Sequence, residues 1–140
     1  MKLEMFINFN GNCREAVELY AKVFKSEVKN LMTYGEAPQN SEYPLNESDR
    51  GKIMYADIQM GGMIVMFMDM PSDSPLIVGN NINPTVNVTD KVEVERLCGE
   101  LKEGGKVYVE PQKTFFSECY AMVEDKFGVT WQILYYNSQD

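Results

Sequence analysis

The 140-residue chain contains no histidine. That removes the commonest neutral metal ligand and the default acid–base group at neutral pH. Cations are also scarce: 13 Lys and Arg stand against 21 Asp and Glu, a net charge of −8. A nucleic-acid partner needs a basic stripe, and the sequence has none, so an acidic, soluble surface is expected. The longest apolar run, Met63 to Met68, is far too short to cross a bilayer. The N-terminus opens on strand-like residues without a signal-peptide pattern, so a cytoplasmic location and no membrane partner are expected. Three cysteines, Cys13, Cys98 and Cys119, form no CxxC pair. An odd, scattered set excludes a disulfide framework or a zinc cluster and suits small buried thiols in a reducing compartment. A catalytic thiolate would lack the histidine that usually activates it. No Gly-rich turn follows the first strand, which argues against a cofactor cradle there.

What is present is a pattern that runs twice. Leu3 to Phe9 reads as a strand, and Asn12 with Glu15 three residues on reads as a helix start. Ala16, Leu19, Tyr20, Val23 and Phe24 then recur at helical spacing. Glu27 to Tyr34 is a second strand. A polar loop from Gly35 to Gly51 follows, carrying Pro38 and Pro44; loops of that length tend to be lids or swapped segments. Lys52 to Met60 and Met63 to Asp69 make a hairpin around Gly61-Gly62. After a second loop, Met70 to Asn81, the order repeats. Ile82 to Val88 is a strand, and Asp90 with Glu93 starts a helix. Val94, Leu97, Cys98 and Leu101 form its stripe, and Gly104-Gly105 ends it. Lys106 to Thr114, Glu118 to Glu124 and Val129 to Tyr135 are strands. The implied fold is α+β. Tandem βαβββ modules, about 1–70 and 82–140, would build one domain as a curved mixed sheet around a cavity, with helices on the convex side.

Several strings carry a family resemblance: Gly11 to Ala16 leading to Tyr20 and Phe24, Met32 to Gly35, Gly61-Gly62, Pro111 to Phe116, and Asp125 to Trp131. In this order they resemble the glyoxalase/bleomycin resistance, or vicinal oxygen chelate, superfamily, and within it the PhnB-like branch. The resemblance implies a homodimer. It also implies four metal-ligand positions, one on each of four strands, usually His, Glu or Gln. Counted from the helix caps and the final turn, these fall at Met5, Asn83, Met66 or Phe67, and Gln132. Relatives often carry a histidine where this chain has Tyr55. Thioethers, an aromatic ring and amides do not build a site for a hard or borderline divalent ion. Neither a metal nor any other cofactor is therefore expected, and lyase or dioxygenase activity is not carried over. The methyltransferase label attached to PhnB-like sequences is discounted for want of a cofactor turn.

Alternation sorts strand residues onto two faces. Met54, Ala56, Ile58 and Met60 should pack under a helix, leaving Tyr55 and Asp57 on the opposite face. Asn83, Thr85 and Asn87 oppose Ile82, Pro84, Val86 and Val88, and Gln132 shares a face with Thr130 and Leu134. A pocket with Tyr55, Asn83, Thr85 and Gln132 as polar points and Phe67, Phe116 and Tyr120 as walls would suit a small organic ligand. The same groups would equally satisfy one another inside a collapsed core. Asp57 would be a buried base or a solvated strand-edge carboxylate. The strand methionines and the single tryptophan, Trp131, are expected in the core. The leading expectation is a metal-free protein that binds or sequesters a small molecule. The alternative is a lyase- or dioxygenase-type metalloenzyme with an atypical site, drawing on Asp57, Asp69, Glu110 or Gln132 across a dimer.

Overall fold

Strand–helix–strand–strand–strand occurs twice in the computed structural model, which describes residues 1–40 and 42–135. The chain divides into two compact units, Met1–Ile77 and Val78–Asp140. The first holds β1 (Met5–Phe9), α1 (Cys13–Val23), β2 (Val28–Thr33), β3 (Ile53–Met60) and β4 (Met63–Asp69). The second holds β5 (Thr85–Val88), α2 (Lys91–Leu101), β6 (Lys106–Gln112), β7 (Cys119–Glu124) and β8 (Thr130–Tyr135). Each unit is a mixed four-stranded sheet, ordered β1-β4-β3-β2 and β5-β8-β7-β6. In each, the first strand pairs in parallel with the last and the other pairings are antiparallel. The expected α+β repeat is therefore present.

Each helix covers one face of its own sheet. In α1, Cys13, Ala16, Val17, Tyr20 and Val23 are buried. Tyr20 lies over Phe67 at 5.7 Å between ring centroids, with Phe9 6.2 Å from the same ring. In α2 the buried set is Val94, Leu97, Cys98 and Leu101, the expected stripe. Full burial of such a side chain stabilises by about 1.5–3 kcal/mol, so the apolar stripe rather than helix propensity holds each helix down.

Two local expectations need correction. Asn12 is the N-cap of α1, but its side chain makes no capping bond. Asp69, at the end of β4, takes that role: its Oδ1 accepts from the Gly11 and Cys13 amides at 2.8 and 3.0 Å, and its Oδ2 from the Ile53 amide at 2.9 Å. Asp90 caps α2 as expected, accepting from the Glu93 amide at 2.9 Å. The strand expected from Ile82 begins only at Thr85, and Ile82 is 76% exposed. Pro84 has no amide to give a ladder, so pairing starts after it.

Glycine matters most at Gly105, where the chain turns from α2 into β6. A Cβ there would collide with the Glu124 carbonyl. In the 35–51 loop, in which Ser41 lies outside the described residues, a 3-10 turn at Glu47–Asp49 is pinned by Asp49. That carboxylate accepts from the amide and hydroxyl of Ser72, both at 3.0 Å, and pairs with Lys52 at 2.9 Å. The loop is thereby tied to the start of the next one.

Candidate functional site

The face of each sheet opposite its helix carries the candidate residues. In the first unit the register builds a row across four strands, Phe6–Met66–Asp57–Asn30. Beside it, Met32 pairs with Tyr55. The Tyr55 hydroxyl donates to Asp57 Oδ2 at 2.6 Å, and Asn30 Nδ2 donates to both Asp57 oxygens at 3.2 and 3.0 Å. Phe6 meets the Tyr55 ring edge-on at 6.2 Å. Asp57 is 8% exposed and sits on an interior strand, which rules out the solvated-edge reading. Its hydrogen bond, then burial, pushes the Tyr55 hydroxyl up to about 12, so Tyr55 stays a donor.

In the second unit three predicted residues form a chain. The Tyr120 hydroxyl donates to Gln132 Oε1 at 2.8 Å, and Gln132 Nε2 donates to Asn83 Oδ1 at 3.0 Å. Thr85 pairs with Gln132 in the ladder, and its hydroxyl donates to the Asn83 carbonyl at 3.2 Å. Phe116 stands edge-on to Tyr120 at 5.2 Å and is 44% exposed. Burial raises the Tyr120 hydroxyl as well. Asn83, Thr85, Phe116, Tyr120 and Gln132 thus share one unit, whereas Tyr55 belongs to the other.

The register also corrects the position counting. Three residues separate β1 from α1 (10, 11 and 12) but only two separate β5 from α2 (89 and 90). Counting back from the caps therefore slips by one. Met5 shares its face with Ile7 and Phe9, while Phe6 lies on the opposite face against Met66, as Thr85 lies against Gln132. Phe67 is fully buried under α1 and walls no open surface. The strand methionines also differ from expectation. Met54, Met60, Met63, Met66, Met68 and Met122 are all half-buried rather than core, and Met66, Met68 and Met122 lie on the helix-free faces.

Sequence reasoning missed Phe6 because of the unequal loops, and Asn30 because a bulge between Val28 and Asn30 breaks the alternation. Asp69 was a metal-ligand candidate, yet it is 1% exposed and both its oxygens serve backbone amides. Asp125 is likewise structural, accepting from Phe127, Val129 and the Trp131 indole at 2.9, 3.1 and 2.9 Å. Trp131 is core, as expected.

The metal that the fold implies does not fit this donor set. The first and last strands of the two units set Phe6 beside Met66 and Thr85 beside Gln132, and the Gln132 oxygen already accepts from Tyr120. Among the described residues no cluster of three or more Cys, Asp or Glu is placed to hold an ion. The thiols offer no nucleophile: burial, then Asp69, pushes Cys13 up to about 12, and burial raises Cys98 and Cys119.

This architecture is that of the glyoxalase/bleomycin resistance class. A glyoxalase/bleomycin resistance protein/dioxygenase family enzyme from Burkholderia phytofirmans PsJN shares it at TM-score 0.65 and 15% identity, over 94% of this chain and 97% of that one. The chain belongs to the family described as 3-demethylubiquinone-9 3-methyltransferase, whose model matches residues 1–134; this is the PhnB-like branch. Protein YjdN of Escherichia coli K12 is 29% identical over 95% of this chain and 94% of its own. Protein PA1353 of Pseudomonas aeruginosa superposes at TM-score 0.86 with 29% identity, covering 97% and 98% of the two chains. Among the described residues no helix is long and apolar enough to cross a membrane.

Proposed function

We propose that this protein binds or sequesters a small organic molecule on its helix-free sheet faces without a metal ion. The observation that carries the reading is the composition of those faces: aromatic rings, half-buried methionines and mutually hydrogen-bonded polar groups, with no cluster of three or more Cys, Asp or Glu placed to hold an ion among the described residues. Such a mix of apolar surface and a few fixed polar points is typical of small-molecule sites, and methionine adapts to irregular ligands. The ligand-facing set is Tyr55, Asn83, Thr85, Phe116, Tyr120 and Gln132, to which Phe6, Asp57 and Asn30 are added. Methyl transfer, which the family description names, is not part of the proposal. The turn after β1 holds a single glycine, and its Gly11 and Cys13 amides are already spent on Asp69. A cytoplasmic homodimer completes the proposal.

The test is thermal-shift screening followed by calorimetry in chelator-treated buffer. A saturable ligand whose affinity falls in Tyr120→Phe or Gln132→Ala is expected. A broad library with no saturable ligand, or binding that requires an added divalent ion, would overturn the reading.

A further inference from the structure

Asp57 is a carboxylate that its own fold leaves without a counter-charge. It is 8% exposed, yet among the described residues its partners are the Tyr55 hydroxyl and the Asn30 amide, both uncharged. The one cation on the strands of this unit is Lys29, which pairs with Glu27 at 3.6 Å. Lys2, just before β1, is taken by Glu4 at 3.1 Å. A buried charge is ordinarily paired with an opposite one, because hydrogen bonds from neutral groups recover only part of its lost hydration.

Around the carboxylate the face is aromatic and thioether. Phe6 and Met66 lie in its row, Phe6 is 44% exposed, and Met32 beyond Tyr55 is 37% exposed. Aromatic faces attract cations, most strongly where water is thinned. Asn30 and Tyr55 approach Asp57 from two sides and hold it in place, with Asn30 sharing one amide group between both oxygens. Among the described residues Asp57 Oδ1 accepts nothing stronger than that 3.2 Å bond, so it keeps acceptor capacity.

We propose that the Asp57–Tyr55–Asn30–Phe6 surface selects an organic cation, a small molecule carrying an ammonium or similar group beside an apolar body. The cation would complete the ion pair that the protein leaves open, and its apolar part would lie on Phe6, Met66 and Met32. In the repeat the carboxylate has no counterpart. Met122 pairs with Gln132 as Asp57 pairs with Met66, so the charge preference belongs to the first unit alone. This inference rests on the ligand-binding reading above.

Three probes of nearly equal size separate the possibilities: benzylammonium, benzyl alcohol and phenylacetate, titrated into the ¹⁵N-labelled protein by NMR. The Asn30 side-chain amide and the Tyr55 and Asp57 backbone amides should shift with benzylammonium. Its affinity should exceed that of benzyl alcohol about tenfold, about 1.4 kcal/mol, and phenylacetate should bind more weakly still. In Asp57→Asn the preference should vanish while benzyl alcohol binding persists. Phe6→Leu should weaken benzylammonium without abolishing its preference, and it covers the case of an unfolded Asp57→Asn. Equal or tighter binding of the alcohol or the acid at these residues overturns the cation preference and leaves ligand binding intact. Shifts confined to Tyr120 and Gln132 overturn it in the same way. No shift on either face with any probe, together with an empty library screen, removes both readings.

Discussion

Asp69 joins three chain segments through two oxygen atoms: the turn before α1, the start of β3 and its own strand. A charged acceptor bound to buried amides contributes more than a neutral one, and deleting it leaves donors unsatisfied. Asp69→Ala is expected to cost about 3 kcal/mol, read as a lower urea midpoint with an unchanged slope. Tyr55 gives a second residue-scale expectation. Its hydroxyl is held near 12 in the fold against 10.0 ordinarily. Because the folded value is the higher one, its contribution to stability is complete below pH 10 and is lost as pH rises through about 12. Difference titration of the parent protein against Tyr55→Phe should isolate one phenolic step displaced well above pH 10. Neither role was legible from the sequence. Asp69 looks like any strand-end carboxylate until the fold brings Gly11, 58 positions away, against it.

The two helix starts look alike in sequence but work differently as elements. Asp90→Ala should cost about 1 kcal/mol, the usual worth of an N-cap side chain. Asn12→Ala should stay within about 0.5 kcal/mol, because that side chain caps nothing. Paired denaturation curves of the two variants check this directly, and equal losses would refute it. The 35–51 loop makes a pH-dependent element. The Ser72 amide, then Lys52, holds the Asp49 carboxyl below its ordinary 3.8. With the folded value the lower one, the tether is complete above about pH 4 and is lost as pH falls through the folded value. Exchange of the Ser72 amide should accelerate in that acid range, and Asp49→Asn should flatten the dependence. Element types and order were readable because periods of two and 3.6 alternate cleanly along the chain. Which residues share a face was readable for Tyr55, Asp57, Thr85 and Gln132, which lie in unbroken stretches of their ladders. It was unreadable for Asn30, displaced by a bulge, and for Phe6, displaced by one extra loop residue. Alternation survives only as far as the ladder does.

For the molecule as a whole, the strings that mark the family turn out to be largely structural. Gly11 to Ala16 is the segment that Asp69 grips, Asp125 to Trp131 is a turn closed by its own carboxylate, and Tyr34 donates to the Asp69 carbonyl at 2.7 Å. Family membership therefore speaks to architecture, and chemistry must be sought in the side chains on the helix-free faces. Because no ion contributes to the fold in this reading, the thermal midpoint should be the same with and without excess chelator. An ion held at 100 times its Kd would add about 2.7 kcal/mol, so a midpoint several degrees lower after chelation would refute it. The parallel pairing of β1 with β4 has a consequence for biosynthesis. During synthesis β1 has no hydrogen-bonding neighbour until Val65 to Asp69 have also emerged. Until then Met5 to Phe9 is an unmatched apolar ribbon, the segment on which a nascent-chain chaperone has most reason to act.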